Sequence, residues 1–345
     1  MAKGTKTLRR SFLLGAGALG MATLAKGAAG SQAREETQPA AAKPGKGGSM
    51  ATGLTLLNFY RGGELSLGVK TQAGVIDVKA AGRALKVRVP GTTDDVIRGH
   101  DLDGLRAVVE SAGKKGKAAL LSEDKLKFGP AVSCPEKILM LGFNYRRHAI
   151  ETHTPIPTSP VLFNKYANAL CGHGTTVKLP VKVATKFDHE VELVVVMGKE
   201  ARDVSEADAL SYVFGYATGN DFSARDLQFK TSQFMLGKTS DDFGPLGPYL
   251  VTSDLVGDPQ SLKLECKVND EVRQSSNTND MIFSCAQIVS YASQHMTLKP
   301  GDIFFTGTPE GVIFGKPEAQ RVWLKAGDRI TTTIEKLGEL RFTLA

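Results

Sequence analysis

Two glutamates one residue apart interrupt an otherwise apolar run, Phe187-Asp188-His189-Glu190-Val191-Glu192-Leu193-Val194-Val195-Val196-Met197. Side chains two apart on a strand share a face, so Glu190 and Glu192 point the same way, toward the side that continues through Val194 and Val196. Two ionised carboxylates heading into a core are costly unless a cation or several donors compensate them. A hard divalent ion with oxygen ligands is the simplest compensation. The competing reading of the pair alone is two acids at a solvated strand end. A third acid, Asp221, follows the apolar stretch 214–220, where a strand-like segment turns polar and a side chain can reach a cleft. Upstream, His148 and Glu151 form an H-x-x-E pair that shares one face if the segment is helical. A carboxylate beside an imidazole makes a general acid/base pair for handling water; taken singly, such a pair is also a common surface contact.

From about Ile138 to the C-terminus the chain resembles the fumarylacetoacetate hydrolase family. The matching motifs are G-F-N-Y-R-R-H-A-x-E (142–151), S-P-V-L-F-N-K-Y-A-N-A-L (159–170), D-H-E-V-E-L (188–193) and G-N-D-F-S-A-R-D-L-Q (219–228). They continue in order with G-K-T (237–239), G-P-L-G-P-Y-L-V (244–251) and T-G-T-P-E-G-V (306–312). The resemblance implies that Glu190, Glu192 and Asp221 bind Mg²⁺ or Mn²⁺ and that His148 and Glu151 activate the attacking water. It implies that Arg225, Gln228 and Lys238 hold substrate oxygens, with Lys238 and Arg225 adding fixed positive charge where oxyanion character develops, and that Thr308 contacts the substrate. His189 stands where the family more often has Tyr or Phe; on an alternating strand it faces away from the glutamates, which marks it as packing.

The implied substrates are small β-dicarbonyl or 2-keto acids, whose carboxylate and keto oxygens can chelate such an ion. Hydrolysis of a carbon–carbon bond in a β-diketo acid is the leading expectation. An isomerase or decarboxylase of a 2-keto or hydroxymuconate-type acid at the same site is the first alternative. A non-catalytic exported binder of keto acid or metal is the second. The implied fold is α/β but mostly β: a mixed β-sandwich or β-roll catalytic domain over 131–345 behind a small N-terminal α+β domain over 53–130. A homodimer is implied by the resemblance alone, as are thiols without structural disulfides at Cys134, Cys171, Cys266 and Cys285.

The front of the chain carries a different kind of signal. Lys3, Lys6, Arg9 and Arg10 precede an uncharged stretch, Ser11 to Ala25, that is too short and too weakly apolar for a membrane span. Arg9-Arg10-Ser11-Phe12-Leu13 is similar to the twin-arginine export signal, so residues 1–33 read as a signal peptide and the protein as exported to the periplasm, with no stable membrane anchor. Residues 34–52, rich in Pro, Gly, Ala and charge, read as a flexible linker. The leader holds five of the 43 basic residues and none of the 36 acids, so without it 38 face 36. The formal net charge of +7 is therefore largely the leader's, and no nucleic-acid partner is implied.

The elements that must position the site follow from pattern. Short strands are expected at Thr55–Tyr60, Leu65–Val69 and Val75–Val78, and a helix at Leu102–Ala112. Ser205-Glu206-Ala207-Asp208 resembles a capping box opening a helix, and Met281–His295 has an amphipathic period. Strands are expected at Asp302–Thr306, Arg329–Glu335 and Leu340–Leu344. Gly15–Gly20 matches G-x-G-x-x-G but follows no strand, and Gly237-Lys238-Thr239 lacks the opening glycine of a P-loop, with Ser at 232. Neither supports nucleotide binding.

Overall fold

Four valines in seven residues make Val191–Met197 a strand that is buried on both faces. Its alternate side chains enter different cores. Leu193, Val195 and Met197 pack with Ile288, Val289 and Phe342, whereas Val194 and Val196 pack with Leu56, Leu250 and Phe305. The strand pairs antiparallel with Val213–Asn220 on one side and Ile303–Phe305 on the other. The structure is a computed structural model that describes residues 50–114 and 120–345. The expected signal peptide and most of the expected linker lie outside the described residues.

Among the described residues this strand sits inside an eleven-stranded sheet. The order runs Leu120–Leu121, Gly74–Asp77, Glu64–Thr71, Thr55–Arg61, Gly244–Thr252, Val213–Asn220, Val191–Met197, Ile303–Phe305, Ile138–Gly142 and Val161–Asn164. Leu170–Cys171 joins Gly244–Thr252 off that path, in parallel. A second, five-stranded sheet follows the order Glu271–Asn277, Lys263–Val268, Arg329–Ile334, Gly338–Leu344 and Thr176–Val177. Leu264, Cys266, Ile330, Ile334 and Phe342 of the second sheet share a core with Leu193, Val195 and Tyr216 of the first. The fold is thus a mixed, sheet-rich α/β architecture. The front strands add to the main sheet directly, with Thr55 opposite Val251 and Leu56 opposite Leu250.

Two departures from the sequence pattern matter for the site. The run 187–197 is not one strand: Phe187–Asp188 pairs with Ser223–Ala224, and the ladder resumes at Val191. The break leaves His189 and Glu190 outside the ladder and brings Asp188 beside Arg225. The helix expected from Met281 instead opens at Cys285, because Ser284 and Gln287 form a reciprocal capping box that fixes its start. The Ser205 cap holds only the four-residue helix Glu206–Ala209. The front helix runs Leu102–Lys114. No helix among the described residues is long and apolar enough to cross a membrane.

Candidate metal centre and active site

Register puts the acids together. Val191 opposes Asn220 at the end of the antiparallel pair, so the residues just outside and just inside that end converge. Asp221 N donates to the Glu190 carbonyl at 2.9 Å, and Glu190 N donates to Asn220 Oδ1 at 3.2 Å. Glu190, Glu192 and Asp221 each direct a carboxylate oxygen into one cluster whose atoms lie within 4.8 Å of one another, and all three residues are buried.

Three buried cations face these acids. Lys238 Nζ lies 2.5 Å from Glu190 Oε2 and 2.8 Å from Asp221 Oδ2. Arg225 Nη2 lies 2.7 Å from Glu190 Oε1, and Lys165 Nζ lies 2.8 Å from Asp221 Oδ1. Those last two pairs meet by distance without hydrogen-bond alignment, so Asp221 Oδ1 has no donor aimed along it. A fourth buried acid, Asp188, shares Arg225. Among the described residues four carboxylates therefore stand against three cations, and Glu192 is the one without a basic partner there; its Oε2 accepts from Gly307 N at 2.8 Å.

The titration behaviour follows that arithmetic. Burial opposes the charge on Glu190, yet Arg225 and Lys238 outweigh it and hold the carboxyl down at about 2. Burial, then repulsion from Asp221 and Glu190, raises Glu192 well above the ordinary carboxylate range. Burial also raises Asp221, although Lys165 and Lys238 pull the other way. An all-oxygen, acid-rich cluster that lacks one positive charge suits a hard divalent cation. On that observation the residues fit Mg²⁺ or Mn²⁺.

The helix Arg146–Glu151 delivers the imidazole. His148 Nδ1 lies 2.8 Å from Glu151 Oε1, and Glu151 Oε2 accepts from Gly311 N at 3.0 Å. Gly311 has φ +100°, and an added Cβ would sit 2.1 Å from the Arg273 carbonyl oxygen, so only glycine lets this loop approach. His148, Glu190, Glu192, Asp221, Arg225, Gln228, Lys238 and Thr308 all line one cavity. Glu151 stands behind His148 as its partner.

Several residues that hold this arrangement were not singled out from sequence. Asp188 accepts from Arg225 Nε at 2.9 Å and from the backbone of His189, Ile313 and Phe314. Burial alone would raise its carboxyl, but Arg225, His189 and the backbone donors keep it below the ordinary range. Lys165 reaches across to the carbonyls of Phe222 and Phe243 and to that of Lys238. Gln274 Oε1 accepts from Val191 N at 2.9 Å, which fixes the amide orientation, and its Nε2 donates to Thr308 Oγ1 at 2.8 Å. Thr308 thereby keeps its own hydroxyl proton for the cavity. The available signal was position: Asp188 and Lys165 fall inside the quoted motifs, whereas nothing local marks Gln274 on the strand Glu271–Asn277.

His189 is fully buried and meets Gln274 at 3.2 Å through Nδ1, outside the acid cluster. His153 is exposed and His173 half-buried. Cys171, Cys266 and Cys285 are buried free thiols, and Cys134 is exposed and also free.

Residues 137–345 match the family described as fumarylacetoacetate (FAA) hydrolase C-terminal. A mitochondrial oxaloacetate tautomerase of Xenopus laevis is 42% identical over 240 residues, which cover 67% of this chain and 74% of that protein. A 2,4-didehydro-3-deoxy-L-rhamnonate hydrolase of Sphingomonas sp. (strain SKA58) is 44% identical over 259 residues, 73% of this chain and 90% of that one. The solved fumarylacetoacetate hydrolase of psychrophilic Exiguobacterium antarcticum superposes with a TM-score of 0.71 at 31% identity, covering 84% of this chain and 99% of that one. The expectation of an exported, periplasmic protein is corrected by these relatives: those from Xenopus laevis, Bos taurus and Homo sapiens are named as mitochondrial, and bacterial relatives stand beside them without a name that denotes export. A basic, acid-free leader is common to export signals and mitochondrial presequences, so its composition did not determine a compartment.

Proposed function

The chain belongs to the fumarylacetoacetate hydrolase family, and from that premise we propose that it hydrolyses a carbon–carbon bond in a β-diketo acid of the acylpyruvate type, in a divalent-metal-dependent reaction. The observation that carries the reading is the His148–Glu151 pair opening onto the same cavity as the buried Glu190, Glu192 and Asp221. Glu190, Glu192 and Asp221 would hold Mg²⁺ or Mn²⁺, which when bound polarises a keto oxygen and stabilises enolate charge.

The chain's own groups account for the rest. Glu151, 2.8 Å from Nδ1, holds the His148 tautomer whose Nε2 is free to accept a proton from water. The water oxygen bonds to the distal carbonyl carbon, the carbon–carbon bond breaks, and its electron pair passes to the departing pyruvate enolate. His148 returns the proton to the enolate carbon, which leaves pyruvate and a carboxylic acid. Arg225 occupies the Gln228 side-chain oxygen at 2.9 Å, which leaves the Gln228 amide N–H groups for a substrate oxygen. Lys238 supplies fixed charge beside the reacting oxygens, and Thr308 donates its hydroxyl.

A second reading rests on the relatives named as oxaloacetate tautomerases. The same imidazole would then move a substrate α-proton instead of a water proton. Mass analysis of products separates the two. Acylpyruvates incubated with Mn²⁺-loaded protein should lose their ultraviolet enol band and yield two fragments. A product of unchanged mass would move the assignment to tautomerisation, and an inert panel that includes oxaloacetate would remove both readings.

A further inference from the structure

The donor that serves Glu192 belongs to a peptide group that is held at both ends. Glu192 Oε2 accepts from Gly307 N at 2.8 Å. The carbonyl of that same peptide, Thr306 O, accepts from Asn144 Nδ2 at 2.7 Å. Asn144, the Thr306–Gly307 peptide and Glu192 therefore form one line of hydrogen bonds, in which each donation polarises the next. Asn144, Thr306 and Glu192 are all buried, so bulk water does not compete for these groups.

Both ends of the line are anchored. Asn144 Oδ1 accepts from Phe283 N at 2.8 Å, and its backbone carbonyl accepts from Ile282 N at 2.7 Å. Because an N–H must meet the amide oxygen, the Phe283 contact fixes the amide so that Nδ2 faces Thr306. Thr306 is held in turn by the strand that carries Glu192: its N and Oγ1 donate to the Leu193 carbonyl at 3.0 and 2.8 Å. Gly307 has φ +93°, and an added Cβ would lie 2.7 Å from Asn144 Cβ, so glycine is what lets the peptide meet the amide.

The other two acids of the cluster are oriented by charge, Glu190 by Arg225 and Lys238 and Asp221 by Lys165 and Lys238. Glu192 is set by a neutral donor, which fixes one oxygen and leaves its charge for an ion. Asn144 also lies two residues before the helix Arg146–Glu151, so the same side chain seats the segment that delivers His148. Resting on the metal reading of the acid cluster, we infer that Asn144 is a positioning residue. Through the Thr306–Gly307 peptide it orients the Glu192 carboxylate for the divalent ion and ties that ligand to the helix bearing the imidazole.

The test reads the peptide itself by NMR, in the EDTA-treated full chain labelled with carbon-13 at threonine carbonyls and nitrogen-15 in glycine. Peaks arise where Gly follows Thr, which happens after Thr52, Thr218 and Thr306, and Thr306→Ser identifies its own peak by removing it. Asn144→Ala should move the Thr306 carbonyl carbon and the Gly307 amide proton upfield together. It should also weaken Mn²⁺ binding in calorimetry by about tenfold, the lower end for losing a group that orients a metal ligand. Ser284→Ala removes the cap of the neighbouring helix and none of these bonds, so it should leave both the peak and the Mn²⁺ affinity near wild type. In the wild type, where no variant has to fold, Mg²⁺ should move the same peak, because an ion on Glu192 draws charge from the oxygen that Gly307 N faces. With Mn²⁺ bound by the wild type, three results would overturn the inference and leave the metal reading standing: a peak that ignores Asn144→Ala or Mg²⁺, an Mn²⁺ affinity unchanged in Asn144→Ala, or an equal loss of affinity in Ser284→Ala. Failure of the wild type to bind Mn²⁺ would overturn both.

Discussion

Replacing Asp188 with asparagine removes one oxygen from an acceptor that is fully used. Oδ1 accepts from the backbone of His189 and Ile313, both at 2.9 Å; Oδ2 accepts from Arg225 Nε at 2.9 Å and Phe314 N at 3.0 Å. Asparagine keeps one oxygen, so its amide group must face two donors. Two hydrogen bonds to a charged group, each worth about 1.5–3 kcal/mol, are lost. Breaking a buried ion pair from one side costs about 3–5 kcal/mol by a separate route. Both meet near 4 kcal/mol, a large share of the roughly 5–15 kcal/mol that holds a domain folded. The pH dependence has a definite sign. Because the native carboxyl is lowered, the unfolded chain binds the proton first as pH falls, so the Asp188 contribution is complete above the ordinary carboxylate pKa of about 4 and is lost below it. Urea unfolding of wild type and Asp188→Asn should therefore differ by about 4 kcal/mol at pH 7, and the difference should shrink once pH drops below about 4. A difference under about 1 kcal/mol at pH 7 would refute the reasoning, since surface substitutions alone reach about half that.

Three further outcomes are expected. His148→Ala should lower turnover by about 10²–10⁴-fold, the usual contribution of a general base, while Mn²⁺ affinity measured by calorimetry stays near wild type because the imidazole lies outside the acid cluster. Gln274→Met frees the Thr308 hydroxyl to turn away from the cavity, and kcat/KM should fall by about threefold to tenfold, the worth of one net hydrogen bond; unchanged kinetics would remove the positioning role. Glu192 is raised by burial and by its acidic neighbours, so Mn²⁺ binding should release protons increasingly as the pH is lowered, and the calorimetric enthalpy should then vary with the ionisation heat of the buffer.

The acid pair was legible because its cost is local: two glutamates at a period of two in a valine-rich run have few explanations. The front and C-terminal strands were legible from alternation alone, as Glu64–Thr71, Arg329–Ile334 and Gly338–Leu344 bear out. The break at His189 was not, because the residues around it suit a strand equally well; what breaks the ladder is the pairing of Phe187–Asp188 with Ser223–Ala224, a contact some 35 residues away. Asp188, Lys165 and Gln274 escaped for a related reason. Each acts through long-range partners, and only folding shows that Lys165 reaches Asp221 or that Gln274 reaches Thr308. The helix at Cys285 was displaced from its apolar period by a cap whose effect is purely geometric. The compartment was misread because residues 1–33 have a basic, acid-free composition that two targeting systems share.

The central claim is that Glu190, Glu192 and Asp221 hold a divalent ion on which turnover depends. The direct test strips the protein with EDTA, titrates Mn²⁺ back, and follows bound metal and acylpyruvate cleavage in the same samples. The rate should climb in proportion to occupancy and saturate at one ion per chain. Cleavage at full rate in the stripped protein, or a rate that ignores occupancy, would contradict the account.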